Sequence, residues 1–111
     1  MDASPDTAPD LVDRYFARAV DPDPSGYFAL FTTDAVVEDD GHVHRGIDAI
    51  RAWRTSVPPV RYDVRATTPA ADGATVARVE VSGDFPGSPI DLSHTFRVTA
   101  DGRIGALTIR V

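Results

Sequence analysis

The sequence predicts a single α+β domain in which helices and a curved antiparallel sheet enclose a pocket the size of a small ligand. The chain has 111 residues, the usual size of one domain, and 42% of them are apolar, so a real core can be buried. Its first half carries apolar residues at helical spacing, and its second half alternates apolar and polar residues. Helices and sheet must bury their apolar faces on each other, and a sheet that curls around helices forms a cone with a mouth.

The first helix is predicted to begin near residues 7–10, a start that is compatible with Pro9 because proline is tolerated in the first turn of a helix. Its apolar residues recur at helical spacing, at Leu11, Val12, Tyr15, Phe16, Ala19 and Val20. Residues 1–8 are rich in Asp, Ala, Pro, Ser and Thr, and we expect them to form a disordered leader. The expected domain therefore covers residues 9–111.

Two further helices are predicted before the alternating half of the chain. Asp23 can cap the second helix and Pro24 suits its first position, while residues 27–31 give it an apolar surface and residues 32–34 end it. The third helix follows Gly46 and ends at a Pro-Pro pair, and its apolar residues on one side are Ile47, Ile50, Trp53 and Val57.

A short hairpin and a four-stranded meander are predicted for the remaining segments. Residues 35–39 form a strand, Asp40-Gly41 a turn and residues 42–45 its partner. Turns at Asp72-Gly73, at residues 83–89 and at Asp101-Gly102 separate the later strands. The strand faces are predicted at Val60, Tyr62, Val64 and Ala66; at Thr75, Ala77, Val79 and Val81; at Ile90, Leu92, His94, Phe96 and Val98; and over residues 104–111.

The composition excludes several classes of function. A formal net charge of −6 repels phosphate backbones, so nucleic acid is not an expected partner. No stretch approaches the roughly 18 apolar residues of a membrane span, and the N-terminus lacks a secretory signal. The chain has no cysteine, which excludes a thiol nucleophile and fits a reducing compartment, so we expect a cytoplasmic protein. No phosphate loop or dinucleotide motif is present, and we expect no cofactor.

Three segments resemble a known superfamily: LFTTDAVVEDDG, HRGIDAIRAW and HTFRVTADGRIGAL. They are similar to the helix-to-strand entry, the third helix and the final hairpin of the nuclear-transport-factor-2-like superfamily, and its SnoaL-like branch looks most similar. The resemblance implies a cone-shaped α+β barrel with three N-terminal helices packed on a curved antiparallel sheet. It also implies a pocket for a small hydrophobic molecule and a homodimer formed through the exposed sheet face.

The ketosteroid isomerases of this superfamily supply the residue-level comparison. Their reaction uses a carboxylate base and an oxyanion hole made from a tyrosine and a protonated aspartic acid. By motif placement, Asp39 falls at the base, Tyr15 at the tyrosine donor and Asp91 at the acidic donor. The resemblance therefore implies these three as candidate catalytic residues.

Each candidate also has a purely structural interpretation. Asp39 could end its strand in a solvated turn, and Tyr15 could be a core residue bonded to the backbone. Alternation places Asp91 on the polar strand face unless a bulge resets the register, and it places His94 on the apolar face instead. His94 is therefore a further catalytic candidate, with a buried core or interface histidine as the alternative.

Aromatic residues are the candidate ligand-binding set, since core and pocket wall are continuous in this fold; they are Phe28, Phe31, Trp53 and Phe96. His42 and His44 share a strand face, where surface placement is favoured over metal binding, and we expect no metal site. Phe85, in the GDFPGSP turn, could cover the mouth or make a subunit contact.

Three functions fit these expectations. The first is a cofactor-independent isomerase or cyclase in which Asp39 removes a proton next to the carbonyl of an apolar substrate and Tyr15 donates to the enolate oxygen. The second is a non-catalytic module that binds a hydrophobic metabolite. The third is a dimeric interaction domain with a closed core, in which one sheet face packs on a partner.

Overall fold

A computed structural model describes residues 7–70 and 73–111. Most of the expected leader and Asp72 of one predicted turn lie outside the described residues. The helices and strands follow the predicted order of two helices, a hairpin, a third helix and four strands. They are α1 (Thr7–Ala19), α2 (Ser25–Phe28), β1 (Phe31–Asp39), β2 (His42–Arg45), α3 (Ile47–Ser56), β3 (Val60–Pro69), β4 (Thr75–Gly83), β5 (Ile90–Val98) and β6 (Ile104–Arg110).

The six strands form one sheet in the order β2-β1-β6-β5-β4-β3. The predicted antiparallel meander of β3 to β6 is confirmed, and so is the hairpin of β1 and β2. The sheet is nevertheless mixed, because β1 pairs with β6 in parallel, with Val37 opposite Leu107 and Asp39 opposite Ile109. After β2, helix α3 connects the chain to β3 at the opposite edge of the sheet. The meander from β3 to β6 then brings β6 beside β1, and these two strands run in the same direction.

The helical layer is smaller than the resemblance implied. α2 is a single turn that ends at Phe28, and α3 follows the hairpin. The predicted second helix is confirmed at Tyr27 and Phe28, but its extension to residue 31 is wrong, because β1 already begins at Phe31, which pairs with Ile104. The Ile104 N–H also donates to the carbonyl of Leu30 over 2.8 Å, so pairing with β6 draws this segment into the sheet.

The inner sheet face and α1 share one apolar core. The predicted face of β4 is buried, and that of β5 is buried at His94 and Phe96 and half-buried at its other positions. The helix residues Leu11, Val12, Tyr15 and Phe16 belong to the same cluster. These apolar strand positions are therefore covered by the chain itself, which corrects the expectation that they could pack on a partner. β3 departs from its predicted pattern, since Val64 is exposed beside a register shift between Val64 and Ala66. Such bulges bend strands, and the residues of β3 that follow this one are exposed.

Within the described residues, no helix is long and apolar enough to cross a membrane.

Candidate functional site

A cavity of about 370 Å³ lies between α1, α3 and the inner face of the sheet. Its walls are mostly aliphatic, which suits the hydrocarbon part of a ligand. The apolar lining consists of Val57, Pro58, Val60, Val81, Phe85, Pro86, Ile90, Leu92 and Ile109. The polar side chains that converge on it belong to Tyr15, Asp39, Asp40, Trp53, Arg54, Tyr62 and His94.

Asp39 is the last residue of β1, where the strand reaches the cavity. Strand alternation buries Ala35 and Val37 and brings the half-buried Asp39 carboxylate to the same side. Its Oδ2 accepts a hydrogen bond of 3.0 Å from the indole Nε1–H of Trp53 on α3. A carboxylate held in this way beside apolar walls can accept a proton from a bound carbon acid.

Tyr15 of α1 and Tyr27 of α2 form a hydrogen-bonded pair. Their hydroxyl oxygens are 2.9 Å apart, and either can be the donor. Burial raises the pKa of both phenols above the ordinary value, with the neighbouring Tyr27 adding to the effect at Tyr15. Both phenols therefore stay protonated near neutral pH, and when Tyr27 donates to Tyr15, the Tyr15 O–H is free for a ligand.

His94 reaches the cavity from β5 and is almost fully buried, with 2% of its surface exposed. Its ring lies 5.1 Å from Phe16 and 6.1 Å from Tyr15, between centroids. Burial, and then the charge of Arg54, lowers the pKa of His94 to about 4, so the imidazole is neutral near pH 7. Its Nδ1 has no hydrogen-bond partner among the described residues, although an unpaired buried polar atom is costly.

Arg54 is a cavity residue that the sequence analysis did not single out. Its Nη2 donates to the carbonyl of Ala19 over 2.9 Å, and its Nη1 donates to the hydroxyl of Tyr62 over 3.3 Å. The guanidinium carbon also lies 4.7 Å from the ring centroid of Tyr27. The side chain thus links α3 to α1 and β3 while it places a positive charge at the cavity.

Asp91 does not line the cavity. It is exposed on the outer sheet face, opposite Glu80 of β4, with Arg65 and Arg78 beside it. The register of β4 and β5 runs without a shift through this pair, so no bulge turns Asp91 inward. The acidic-donor position implied by the resemblance is therefore wrong for this chain, and His94 of the same strand faces the cavity instead.

The aromatic candidates divide between three places. Trp53 lines the cavity as expected, but Phe28 and Phe31 border a separate surface depression beside α2. Phe96 is fully buried in the core. These three placements correct the expectation that Phe28, Phe31 and Phe96 bind the ligand of the cavity.

The sequence analysis left the roles of Phe85 and of the pair His42 and His44 undecided. Phe85 lines the cavity, which favours a covering role over a subunit contact for its side chain. The ring centroid of His44 lies 5.8 Å from that of Trp53, while His42 is exposed. Across the described residues, no three His, Cys, Asp or Glu side chains come together in a way that could hold a metal ion.

A family model for the SnoaL-like domain matches residues 12–106, which is most of the chain. The chain belongs to the SnoaL-like family. No curated protein shows significant similarity to it. A structure from Sinorhizobium meliloti, of a protein provisionally named a polyketide cyclase, is 36% identical to this SnoaL-like chain. The match covers 92% of this chain and 94% of that one, with a TM-score of 0.83.

Two further structures match this SnoaL-like protein over nearly its whole length. A protein from Sphaerobacter thermophilus is 32% identical, with coverage of 93% and 94% of the two chains and a TM-score of 0.74. A Δ5-3-ketosteroid isomerase from a Mycobacterium species shares the fold, with 21% identity, coverage of 95% and 92% and a TM-score of 0.80. The SnoaL-like and ketosteroid isomerase-like fold is thereby confirmed.

The cavity of this SnoaL-like protein thus combines two carboxylates, several neutral hydrogen-bond donors and one cation with aliphatic walls. The carboxylate of Asp39 can take a proton, Tyr15 and neutral His94 can donate hydrogen bonds, and Arg54 can hold negative charge. This set can support acid–base chemistry on a carbonyl compound without any further group.

Proposed function

We propose that this SnoaL-like protein binds a small apolar carbonyl compound and transfers a proton from its α-carbon, as a cofactor-independent isomerase or cyclase. The observation that carries the proposal is the Asp39 carboxylate, which the Trp53 indole holds at an aliphatic cavity that Tyr15 and His94 also line. A base and neutral donors around one apolar space are what enolisation requires.

The chemical step needs only the side chains of the cavity. An oxygen of Asp39 takes the α-proton, the electron pair of that C–H bond forms the carbon–carbon double bond, and the carbonyl electron pair moves onto oxygen. The resulting enolate oxygen accepts hydrogen bonds from the Tyr15 hydroxyl and from an N–H group of neutral His94. In an isomerisation, protonated Asp39 then returns the proton to a different carbon. In a cyclisation, the enolate carbon attacks a second carbonyl of the same molecule, the electron pair of that carbonyl moves onto its oxygen, and this oxygen takes the proton from Asp39.

The similar proteins support this choice of reaction class. The names of the matched structures include a polyketide cyclase and a ketosteroid isomerase, and a more distant one concerns an epoxide hydrolase/cyclase-like enzyme in pyran ring formation. Because the two distant proteins are at most 21% identical to this chain, they support the fold and suggest the class of chemistry only.

The test follows deuterium exchange into 2-tetralone, an apolar bicyclic ketone with benzylic α-protons, by proton NMR in D2O. Wild-type protein is expected to speed exchange above the buffer rate, and Asp39→Asn is expected to remove that acceleration without loss of folding. Asp91→Asn is the matched control, because it makes the same change at an exposed aspartate outside the cavity. Equal acceleration by the Asp39→Asn protein would exclude Asp39 as the base.

A non-catalytic binding module is the second candidate, and the aliphatic lining of the cavity favours it, since such walls hold an apolar ligand whether or not chemistry follows. In this case 2-tetralone raises the melting temperature of the protein, but its α-protons exchange at the buffer rate.

Assembly as a homodimer through the sheet remains part of the proposal. The outer sheet face available for it is polar and charged, with Arg78 and Glu80 on β4 and Asp91 on β5, so the interface would depend on ion pairs. Light scattering at low and high salt tests this: a dimer that weakens at high salt is expected, and a monomer at all concentrations would contradict it.

A further inference from the structure

Arg54 places its charge in a partly buried position at the cavity. Several surface arginines of the described part pair with acids, as Arg18 does with Asp21 and Arg110 with Glu38. None of the ion pairs among the described residues includes Arg54, although its side chain is half-buried. Its two hydrogen bonds go to neutral oxygens, those of Ala19 and Tyr62.

An unpaired guanidinium at an apolar cavity has an electrostatic consequence. A charge that leaves water is stable only when other groups compensate it, and neutral oxygens and the aromatic faces of Tyr27 and Trp53 do so partially. The carboxylate of Asp39 lines the same cavity but accepts its hydrogen bond from Trp53. Of the five N–H groups of the guanidinium, two have protein acceptors, which leaves donors for a bound anion.

The neighbouring residues define what kind of anion fits. Arg54 shares the cavity with the aliphatic side chains of Val60, Val81 and Leu92, so a ligand that reaches the guanidinium must also cover hydrocarbon surface. A planar carboxylate matches the fork of N–H groups on a guanidinium and can accept two hydrogen bonds from it. An inorganic anion would leave the aliphatic walls uncovered.

We propose that Arg54 forms a carboxylate subsite in the cavity, so that the substrate of this protein is an apolar carbonyl compound that also carries a carboxylate. The proposal rests on the small-molecule cavity of the proposed function and adds the chemical class of its ligand. The carboxylate anchors the molecule at Arg54 and leaves the carbonyl part for the side chains that carry out the proton transfer.

The test compares two ligands of nearly equal shape, 2-naphthoate and 2-acetylnaphthalene, by calorimetric titration of the wild-type protein. They differ only in whether a carboxylate oxygen or a methyl group is attached to the carbonyl. Because a hydrogen-bonded charge adds substantially to affinity, we expect naphthoate to bind about tenfold tighter or more. Equal affinity, or tighter binding of the ketone, would overturn the proposal.

Substitutions of Arg54 test whether this residue causes the preference for naphthoate. Arg54→Met is expected to bring the two affinities within about twofold of each other, because the side chain keeps an unbranched apolar stem and loses its charge. Arg54→Gln, which removes the charge but keeps a polar amide, gives the same readout if the methionine variant does not fold. Arg51→Met is the matched control, since Arg51 is exposed on the same helix and contacts Phe28 outside the cavity. A preference that survives in folded Arg54 variants would overturn the proposal.

The naphthoate titration and the deuterium exchange experiment can fail independently of each other. Deuterium exchange into 2-tetralone without any preference for naphthoate would refute the carboxylate subsite and leave the proton transfer standing. A preference for naphthoate that depends on Arg54, without exchange into 2-tetralone, would support the subsite in a protein that only binds.

Discussion

His94 should make the stability of this domain depend on pH in a window where carboxylates contribute little. Burial lowers the pKa of His94 to about 4 in the folded protein, against 6.5 for an ordinary histidine. Between these two values the unfolded chain binds a proton that the folded chain does not. The free energy of unfolding therefore falls as the pH falls from 6.5 towards 4 and is fully retained above pH 6.5.

The size of the effect follows from the difference between the two pKa values. A difference of about 2.5 units corresponds to about 3 kcal/mol once the pH is well below 4, at about 1.4 kcal/mol for each unit. Between pH 7 and pH 5, where His94 protonates in the unfolded state alone, the loss is about 2 kcal/mol. This is a large fraction of the stability of a small domain.

Urea unfolding of wild-type protein and His94→Leu at pH 7, 6 and 5 measures this loss. Leucine removes the titrating group without leaving a buried polar atom unpaired, so the difference in stability between the two proteins should change by about 2 kcal/mol over this range. His42→Gln is the control, because His42 is exposed and its replacement should leave the pH dependence unchanged. Parallel pH profiles for wild type and His94→Leu would refute the reasoning.

Two further substitutions separate the site from the core. Tyr15→Phe removes the cavity-lining hydroxyl, and we expect deuterium exchange into 2-tetralone to slow by about 100-fold. The free energy of unfolding should fall by about 1 kcal/mol, because the hydrogen bond to Tyr27 is lost. Unchanged exchange would exclude Tyr15 as a donor. Phe96→Ala is expected to cost about 3–5 kcal/mol in urea unfolding, because Phe96 is fully buried, and a loss below about 1 kcal/mol would contradict its place in the core.

The sequence predicts the meander well because one face of each central strand is buried. In β5, the alternation that places His94 inward and Asp91 outward holds along the strand, since a one-residue slip would expose the whole apolar set. The boundary between α2 and β1 could not be predicted in the same way. The apolar residues from Tyr27 to Phe31 suit a helix or a strand, and pairing of Phe31 with Ile104, far along the chain, decides between them.

The candidate site was predicted in part for a similar reason. Asp39, Tyr15, Trp53 and His94 lie on faces that local periodicity identifies, and all four line the cavity. Arg54 could not be identified this way. An arginine in the last turn of a helix is ordinarily explained by the helix dipole. Its contacts with Ala19, Tyr27 and Tyr62 arise only when α1, α3 and β3 come together.

The rate of deuterium incorporation into 2-tetralone is the most direct test of the central claim that Asp39 acts as a base in the cavity. A positioned general base contributes about 100-fold to 10,000-fold, so Asp39→Asn should lower the protein-dependent rate by at least about 100-fold while Asp91→Asn leaves it unchanged. An Asp39→Asn protein that is folded and exchanges as fast as wild type, or a wild type no faster than buffer, would contradict the account.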